Sequence, residues 1–310
     1  MKKISVLVPT YNEEENVVLL SKKIIEQFEM ELVGYDYELI FIDNDSKDST
    51  RERIRDLCRS NPKIKAIFNA RNFGQFSSPY YGLLQTTGDC TISMCADFQD
   101  PVELIPRYVE EWEKGYKIVL GQKTSSKESR FVYAARNIYY RFMKKNSEVE
   151  YLEHVTGSGL YDREFIEVLR GIDEPRPLLR GMIAELGYSI KLIPYDQQRR
   201  RAGKSSNNIF RYYDAAVQSF TSYTKIGVRL AVFMGVIFTA ISMLTALGFA
   251  IYKLLNWSTF DIIPFALGLA IFVVVSLQLL FIGVVGEYVL SINSRMKKRP
   301  LVIESERINF

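Results

Sequence analysis

Two stretches near the C-terminus limit what this chain can fold into more than any other feature. No charged side chain interrupts Leu230 to Tyr252, and none interrupts Ile262 to Gly286. As helices these runs of about 23 and about 25 residues each exceed the ~30 Å of a bilayer core. Buried helices of soluble proteins are usually shorter and keep a polar stripe, so two membrane spans are expected. Lys225 and Arg229 precede the first run, and Arg295, Lys297, Lys298 and Arg299 follow the second. The connecting loop holds no base beyond Lys253 at its edge, while Tyr252 and Trp257 suit an interfacial belt. The excess of bases on the outer flanks places both ends in the cytoplasm.

The remaining two thirds begin without a leader-like segment: Met1-Lys2-Lys3 runs directly into a strand-like run. The three cysteines, Cys58, Cys90 and Cys95, form no CxxC pair and suit a reducing compartment. Strand-like and helix-like runs alternate: strands at 4–9, 37–43, 64–68, 91–94 and 116–120, with helices at 13–29, at 51–59 and from Ser77. This order predicts an α/β fold with a mostly parallel sheet covered on both faces. Past Lys144 the alternation fades, with helices expected at 164–169 and 178–186 and an extended run at 189–194. An aromatic amphipathic helix is expected at 209–224, with Phe210, Tyr213, Val217 and Phe220 at helical spacing. It suits the membrane surface and, equally, packing against the soluble domain.

Ligands of open α/β sheets bind beyond the carboxyl ends of the strands. The polar segments fall there: Pro9-Thr10-Tyr11-Asn12-Glu13, Asp43-Asn44-Asp45-Ser46, Asn69-Ala70-Arg71-Asn72, Cys95-Ala96-Asp97-Phe98-Gln99-Asp100, and Gly121-Gln122-Lys123. If residues 97–99 are extended, Asp97 and Gln99 face the same way and offer two oxygens to a hard cation such as Mg²⁺ or Mn²⁺. Two protein oxygens suffice only when a substrate diphosphate completes the shell. Asp100, just before Pro101, reads as a helix cap rather than a ligand. Asp43 can accept from a uracil or guanine N–H, or from a ribose hydroxyl. The run Arg199-Arg200-Arg201-Ala202-Gly203-Lys204 suits anionic headgroups or a phosphate. No GxxxxGK[ST] and no GxGxxG occurs, the lone His154 suggests no hydrolytic triad, and no nucleic-acid motif accompanies the basic run.

Together these residues resemble family 2 glycosyltransferases of the polyprenyl-phosphate type, over nearly the whole chain. Val8-Pro9-Thr10-Tyr11-Asn12-Glu13 is similar to the family's V-P-x-Y/F-N-E opening, and Asp43-Asn44-Asp45-Ser46-Lys47-Asp48 to its D-D-x-S-x-D turn. Asn72-Phe73-Gly74-Gln75 resembles its N-x-G stretch, and Cys95 to Pro101 stands where the family has D-A-D-x-Q-D-P. The resemblance implies a GT-A-type nucleotide-sugar-binding domain at 1–205, a juxtamembrane amphipathic helix at 206–225, a two-helix transmembrane domain at 226–294 and a cytoplasmic tail at 295–310. It implies an inverting, metal-dependent transfer of sugar from a UDP- or GDP-sugar to a polyprenyl phosphate at the cytoplasmic membrane face, and it allows homo-oligomers. By position, Pro9, Tyr11, Glu13 and Asp43 hold the nucleotide, and Asp97 and Gln99 hold Mg²⁺ or Mn²⁺. Lys123 matches a basic residue after the fifth strand, and Arg136 one that meets the lipid phosphate. Arg201 with Lys204 and Ser205 resembles the R-x-G-x-S segment near the phosphates.

Two departures stand out. Cys95 replaces the first aspartate of the metal motif, and a protonated thiol is a poor ligand for a hard cation. Gly157 falls where many relatives carry an acid proposed as a base. A phosphate monoester, already largely dianionic with a second pKa of about 6, needs positioning more than proton removal. Two other readings are an impaired membrane scaffold, prompted by these departures, and a processive polysaccharide synthase. The synthase lacks support, because only Trp112 and Trp257 are present and neither lies in a Q-x-x-R-W segment.

Overall fold

The computed structural model describes residues 1–125, 155–175, 177–198, 200–201, 217, 226–255, 263–296 and 299–310. Its N-terminal unit is an eight-stranded mixed sheet in the order β7-β5-β6-β4-β1-β2-β3-β8. The strands are β1 (Lys3–Thr10), β2 (Asp36–Asp43), β3 (Ile64–Asn69), β4 (Cys90–Ser93), β5 (Ile118–Ser125), β6 (Val155–Asp162), β7 (Ile190–Asp196) and β8 (Glu304–Ile308). Pairs β1–β2, β2–β3, β1–β4 and β5–β7 are parallel; β6 runs antiparallel to β4 and β5, and β8 to β3. Helices α1 (Val17–Met30), α2 (Thr50–Ser60), α3 (Ser77–Leu84), α4 (Leu104–Glu113), α5 (Arg163–Gly171) and α6 (Leu179–Leu186) cover it.

Strand side chains alternate between faces, and both faces are dry. Ile4, Val6 and Val8 of β1 with Leu39 and Phe41 of β2 pack against Leu20, Ile24 and Phe28 of α1, Ile54 of α2 and Ile105 and Tyr108 of α4. Leu7, Ile40 and Ile42 point the other way, onto Tyr80 and Leu83 of α3, Phe165 and Ile166 of α5 and Ile183 of α6. The apolar runs of β1 and β2 are therefore buried on both sides, as continuous hydrophobic strands in a parallel sheet must be.

Several local expectations change. Helix α1 starts at Val17, not Glu13, because Asn12 turns left-handed (φ 56°) and the Asn16 and Val17 N–H groups both close on the Glu13 carbonyl. Asp162 caps α5 as its position suggests, accepting the Glu164 N–H at 2.9 Å. Asp100 caps nothing: α4 begins only at Leu104, and the Asp100 carboxylate instead accepts the Tyr195 hydroxyl of β7.

The C-terminal residues belong to this unit rather than standing apart as a tail. Strand β8 lines the otherwise open edge of β3, with Ile308 level with Ala66 and Glu306 with Phe68. Val302 is buried, Arg55 meets Glu306 at 2.6 Å, and the Asn309 amide donates to the carbonyls of Cys58 and Ile64. Covering an edge in this way removes a template for unwanted strand pairing.

The second unit contains helices α7 (Ile226–Leu255) and α8 (Ile263–Met296), which touch one another. Among the described residues, no helix is long and apolar enough to cross a membrane. Large apolar side chains nonetheless stand exposed along both, among them Phe233, Met243 and Leu247 on α7 and Leu279, Ile282 and Leu290 on α8. The expected surface helix at 209–224 and the loop bearing Trp257 lie, apart from Val217, outside the described residues.

Candidate active site

The chain builds β1, β2 and β3 outward in one direction and then crosses back to lay β4 on the far side of β1. That reversal opens a crevice at the carboxyl ends of β1 and β4, the usual ligand position in open α/β sheets. Residues 11–13 leave β1 there, and residues 94–99 leave β4, with the Met94 N–H still bonded to the Leu7 carbonyl.

Asp97 and Glu13 meet in this crevice. The Asp97 side chain is 6% exposed and that of Glu13 is 10% exposed. One guanidinium reaches both: Arg200 Nη2 lies 2.8 Å from Asp97 Oδ2, and Nη1 lies 3.9 Å from Glu13 Oε1. The loop carrying Arg200 is pinned to the Asp97 turn, since the Gln198 N–H donates to the Gln99 carbonyl and the Arg201 N–H to the Asp97 carbonyl. Burial pushes the Glu13 carboxyl above its usual pKa against the hydrogen bond from Asn16; Asp97 adds to the rise and Arg200 opposes it.

The 97–99 segment is not extended. It is a turn in which Phe98 is left-handed (φ 60°) and the Gln99 N–H donates to Asp97 Oδ1 at 3.1 Å. The pleat argument for Asp97 and Gln99 therefore fails, and the two are joined by this local hydrogen bond instead. A bulky residue at positive φ is costly, and such strain gathers at functional sites. The Phe98 ring lies 5.9 Å from Lys23 Nζ and 5.7 Å from the Arg201 guanidinium carbon.

Asp43, at the end of β2, is fully buried. Its oxygens accept Arg51 Nε at 2.7 Å, the Ser46 N–H at 3.1 Å, the Ser46 hydroxyl and, more weakly, the Thr10 hydroxyl at 3.4 Å. Four donors reach its carboxylate, which organises the Asn44–Asp48 turn. Asn44 extends the order to the neighbouring loop, giving its amide to Asn72 and Gly74 and accepting from Asn69 and Phe73.

Cys95 is exposed to solvent. Asp100 and Asp97 close by disfavour its thiolate, while Lys123 of β5 works in the opposite sense. A neutral thiol adds no hard ligand beside Asp97. Gly157 sits in β6 at φ +89°, a conformation that L side chains rarely adopt, so an acid at this position would be strained.

The structure thus brings Glu13, Asp97, Gln99 and Arg201 to one crevice, with Pro9 next to last in strand β1 and Tyr11 exposed just beyond it. Arg136, Lys204 and Ser205 lie outside the described residues. Sequence reasoning missed Arg200 as a partner of the two acids, Arg51 as the partner of Asp43, and the Asp100–Tyr195 bond. Only the triple arginine hinted at the first.

Residues 5–170 match the model of glycosyl transferase family 2. The bactoprenol glucosyl transferase of Shigella phage SfX is 31% identical, covering 98% of this chain and 99% of that protein. The prophage bactoprenol glucosyl transferase homolog of Escherichia coli K12 is 29% identical over 97% and 98%. The glucosyl-3-phosphoglycerate synthase of Mycobacterium tuberculosis, at 17% identity and a TM-score of 0.48 over 71% of this chain and 76% of that one, is too distant for residue equivalences. A family model spanning more than half of the chain, and relatives matching it end to end, make it a glycosyltransferase belonging to glycosyl transferase family 2.

Proposed function

We propose that the protein transfers a sugar from a nucleotide-sugar to the phosphate of a membrane polyprenol, with inversion at the anomeric carbon. The observation that carries this reading is the extent of the kinship. Relatives named bactoprenol glucosyl transferase cover 98% and 97% of this chain, so the match extends beyond residue 170 over α7 and α8. In the sequence, α7 holds no charge from Leu230 to Tyr252 and α8 none up to Gly286, and the two-span reading rests on these apolar runs. Strand β8 follows α8 in the chain yet joins the sheet of the N-terminal unit. A two-helix segment that leaves and re-enters the same unit crosses a membrane an even number of times. Together with the flanking bases, this supports two spans with the crevice and both termini on the cytoplasmic side.

The donor diphosphate would lie over the Glu13–Asp97 crevice beneath the basic 198–201 loop. The two acids already attract one cation, and their donors are hard oxygens. Among the described residues no cluster of three or more His, Cys, Asp or Glu could hold a metal. Such a site fits a divalent ion that arrives with the diphosphate, held by Asp97 and Gln99. Bound there, Mg²⁺ or Mn²⁺ would neutralise charge on the leaving diphosphate. An oxygen of the lipid phosphate attacks the anomeric carbon, the bond from that carbon to the diphosphate breaks, and the nucleoside diphosphate leaves with the electron pair. Arg201, with Arg136, Lys204 and Ser205 by position, serves the phosphates and cancels their mutual repulsion. Lys123 adds a positive charge near Cys95.

The test incubates full-length protein in detergent with undecaprenyl phosphate, Mn²⁺ and a panel of radiolabelled UDP- and GDP-sugars. One donor should yield label in the organic phase, released by mild acid as a monosaccharide. Label appearing only as free sugar, or as a water-soluble polymer, would reject the reading.

A further inference from the structure

Arg200 lies one residue ahead of the segment assigned by position to the phosphates, and its contacts set it apart from Arg201. Its guanidinium spans an acid from the end of β1 and an acid from the end of β4, both nearly sealed from water. Two such acids need a positive charge between them, because each disfavours the other's ionisation. Arg200 supplies it from a side chain that is itself 29% exposed. Among the described residues, backbone bonds from Gln198 and Arg201 tie its loop to the Asp97 turn. A divalent ion on Asp97 would compete with the guanidinium for the same carboxylate, and two cations on one small acid repel strongly.

We propose that Arg200 is the chain's own counter-cation for the donor site, exchanged for the divalent ion when the nucleotide-sugar loads. Displaced from Asp97, the guanidinium stays beside the incoming diphosphate, a group that its planar fork binds well. One positive charge thus guards the acids in the donor-free enzyme and grips the donor afterwards. The inference rests on the reading of Asp97 as a divalent-cation ligand.

The exchange sets a cost on metal binding when no donor is present, and removing the arginine removes that cost. Binding of Mn²⁺ alone, weak because the diphosphate is missing from its shell, is titrated to high Mn²⁺ until it is measurable in the unaltered protein, and followed by the electron paramagnetic resonance signal of the free ion on the full-length protein in detergent. A charge-assisted pair of this kind corresponds to about ten- to a hundredfold in an equilibrium constant. Arg200→Ala should therefore bind Mn²⁺ at least about tenfold more tightly than the unaltered protein, and Arg200→Lys close to it. In EDTA, Arg200→Ala should melt at a lower temperature, and Mn²⁺ should restore it. Arg200→Gln, of similar reach without charge, replaces the alanine variant if that does not fold. Equal or weaker Mn²⁺ affinity in the uncharged variants overturns the exchange. Asp97→Asn separates the two layers: loss of Mn²⁺ binding there, with no gain from removing Arg200, leaves the metal reading standing and rejects only the exchange. Unchanged Mn²⁺ binding in Asp97→Asn removes both.

Discussion

Glu38 offers a stability test that does not touch the crevice. It sits in β2, 1% exposed, at the opposite end of the sheet from Asp97. Its carboxylate accepts Lys65 Nζ at 2.8 Å, Lys3 Nζ at 2.9 Å, the Ser5 hydroxyl, and the N–H and hydroxyl of Thr87. Ser5 Oγ in turn accepts the Gly88 N–H, fixing the turn into β4. Burial alone would raise the Glu38 pKa; the bonds from Lys65, Ser5, Thr87 and Lys3 outweigh it and hold the group at about 2 against an ordinary 4.5. That depression corresponds to about 3 kcal/mol of stability. The contribution is fully present above about pH 4.5 and is lost as pH falls through about 2, because the unfolded chain takes up its proton first. Glu38→Gln keeps the shape but leaves two ammonium groups facing a neutral amide. At pH 7 it should cost about 3 kcal/mol, or roughly 6–12 °C in melting temperature for a unit of this size. The assay is thermal melting of full-length protein in detergent at pH 7 and at pH 3.5. The gap between variant and parent should narrow in acid, and donor binding by the folded variant should be unchanged. Equal melting at pH 7, or a gap that widens in acid, would refute the reasoning.

Two further predictions concern the strands that periodicity alone does not reveal. Ending the chain at Arg299 removes β8 and bares the edge of β3; the truncated protein should melt lower and associate in a concentration-dependent way, which light scattering would detect. Gly157→Asp, which places an acid at this position of β6, should lower stability by about 1–2 kcal/mol because of the left-handed backbone, without raising turnover; a faster enzyme would show that a base is limiting.

The half of the sheet running through β1, β2 and β3 was legible because its strands are dense apolar runs and its helices keep a clear period. Strand β6 was not, because Thr156-Gly157-Ser158-Gly159 carries two glycines at φ +89° and +159° and no hydrophobic alternation. Gly159 is needed there, since a Cβ would fall 2.2 Å from the Val119 carbonyl oxygen. Strand β8 reads as a charged tail, Glu304-Ser305-Glu306-Arg307, because an edge strand with one wet face has little to hide and its partner lies more than 200 residues earlier. Within the site, Asp97 and Glu13 could be placed from strand ends. The left-handed Phe98 could not, since nothing in Ala96-Asp97-Phe98-Gln99 demands positive φ. Nor could the choice of Arg200 among three consecutive arginines, because reach depends on how residues 198–201 lie against the Asp97 turn.

The most direct test of the central claim compares the parent with Asp97→Asn in transfer of labelled sugar to undecaprenyl phosphate, with Mn²⁺ and after EDTA. The account predicts that EDTA stops the parent and Mn²⁺ restores it. It also predicts that Asp97→Asn, folded by its melting curve, is slower by about a hundred- to a thousandfold, the usual effect of losing one preorganised electrostatic group. Transfer at the parental rate by Asp97→Asn, or by the parent in EDTA, would contradict it.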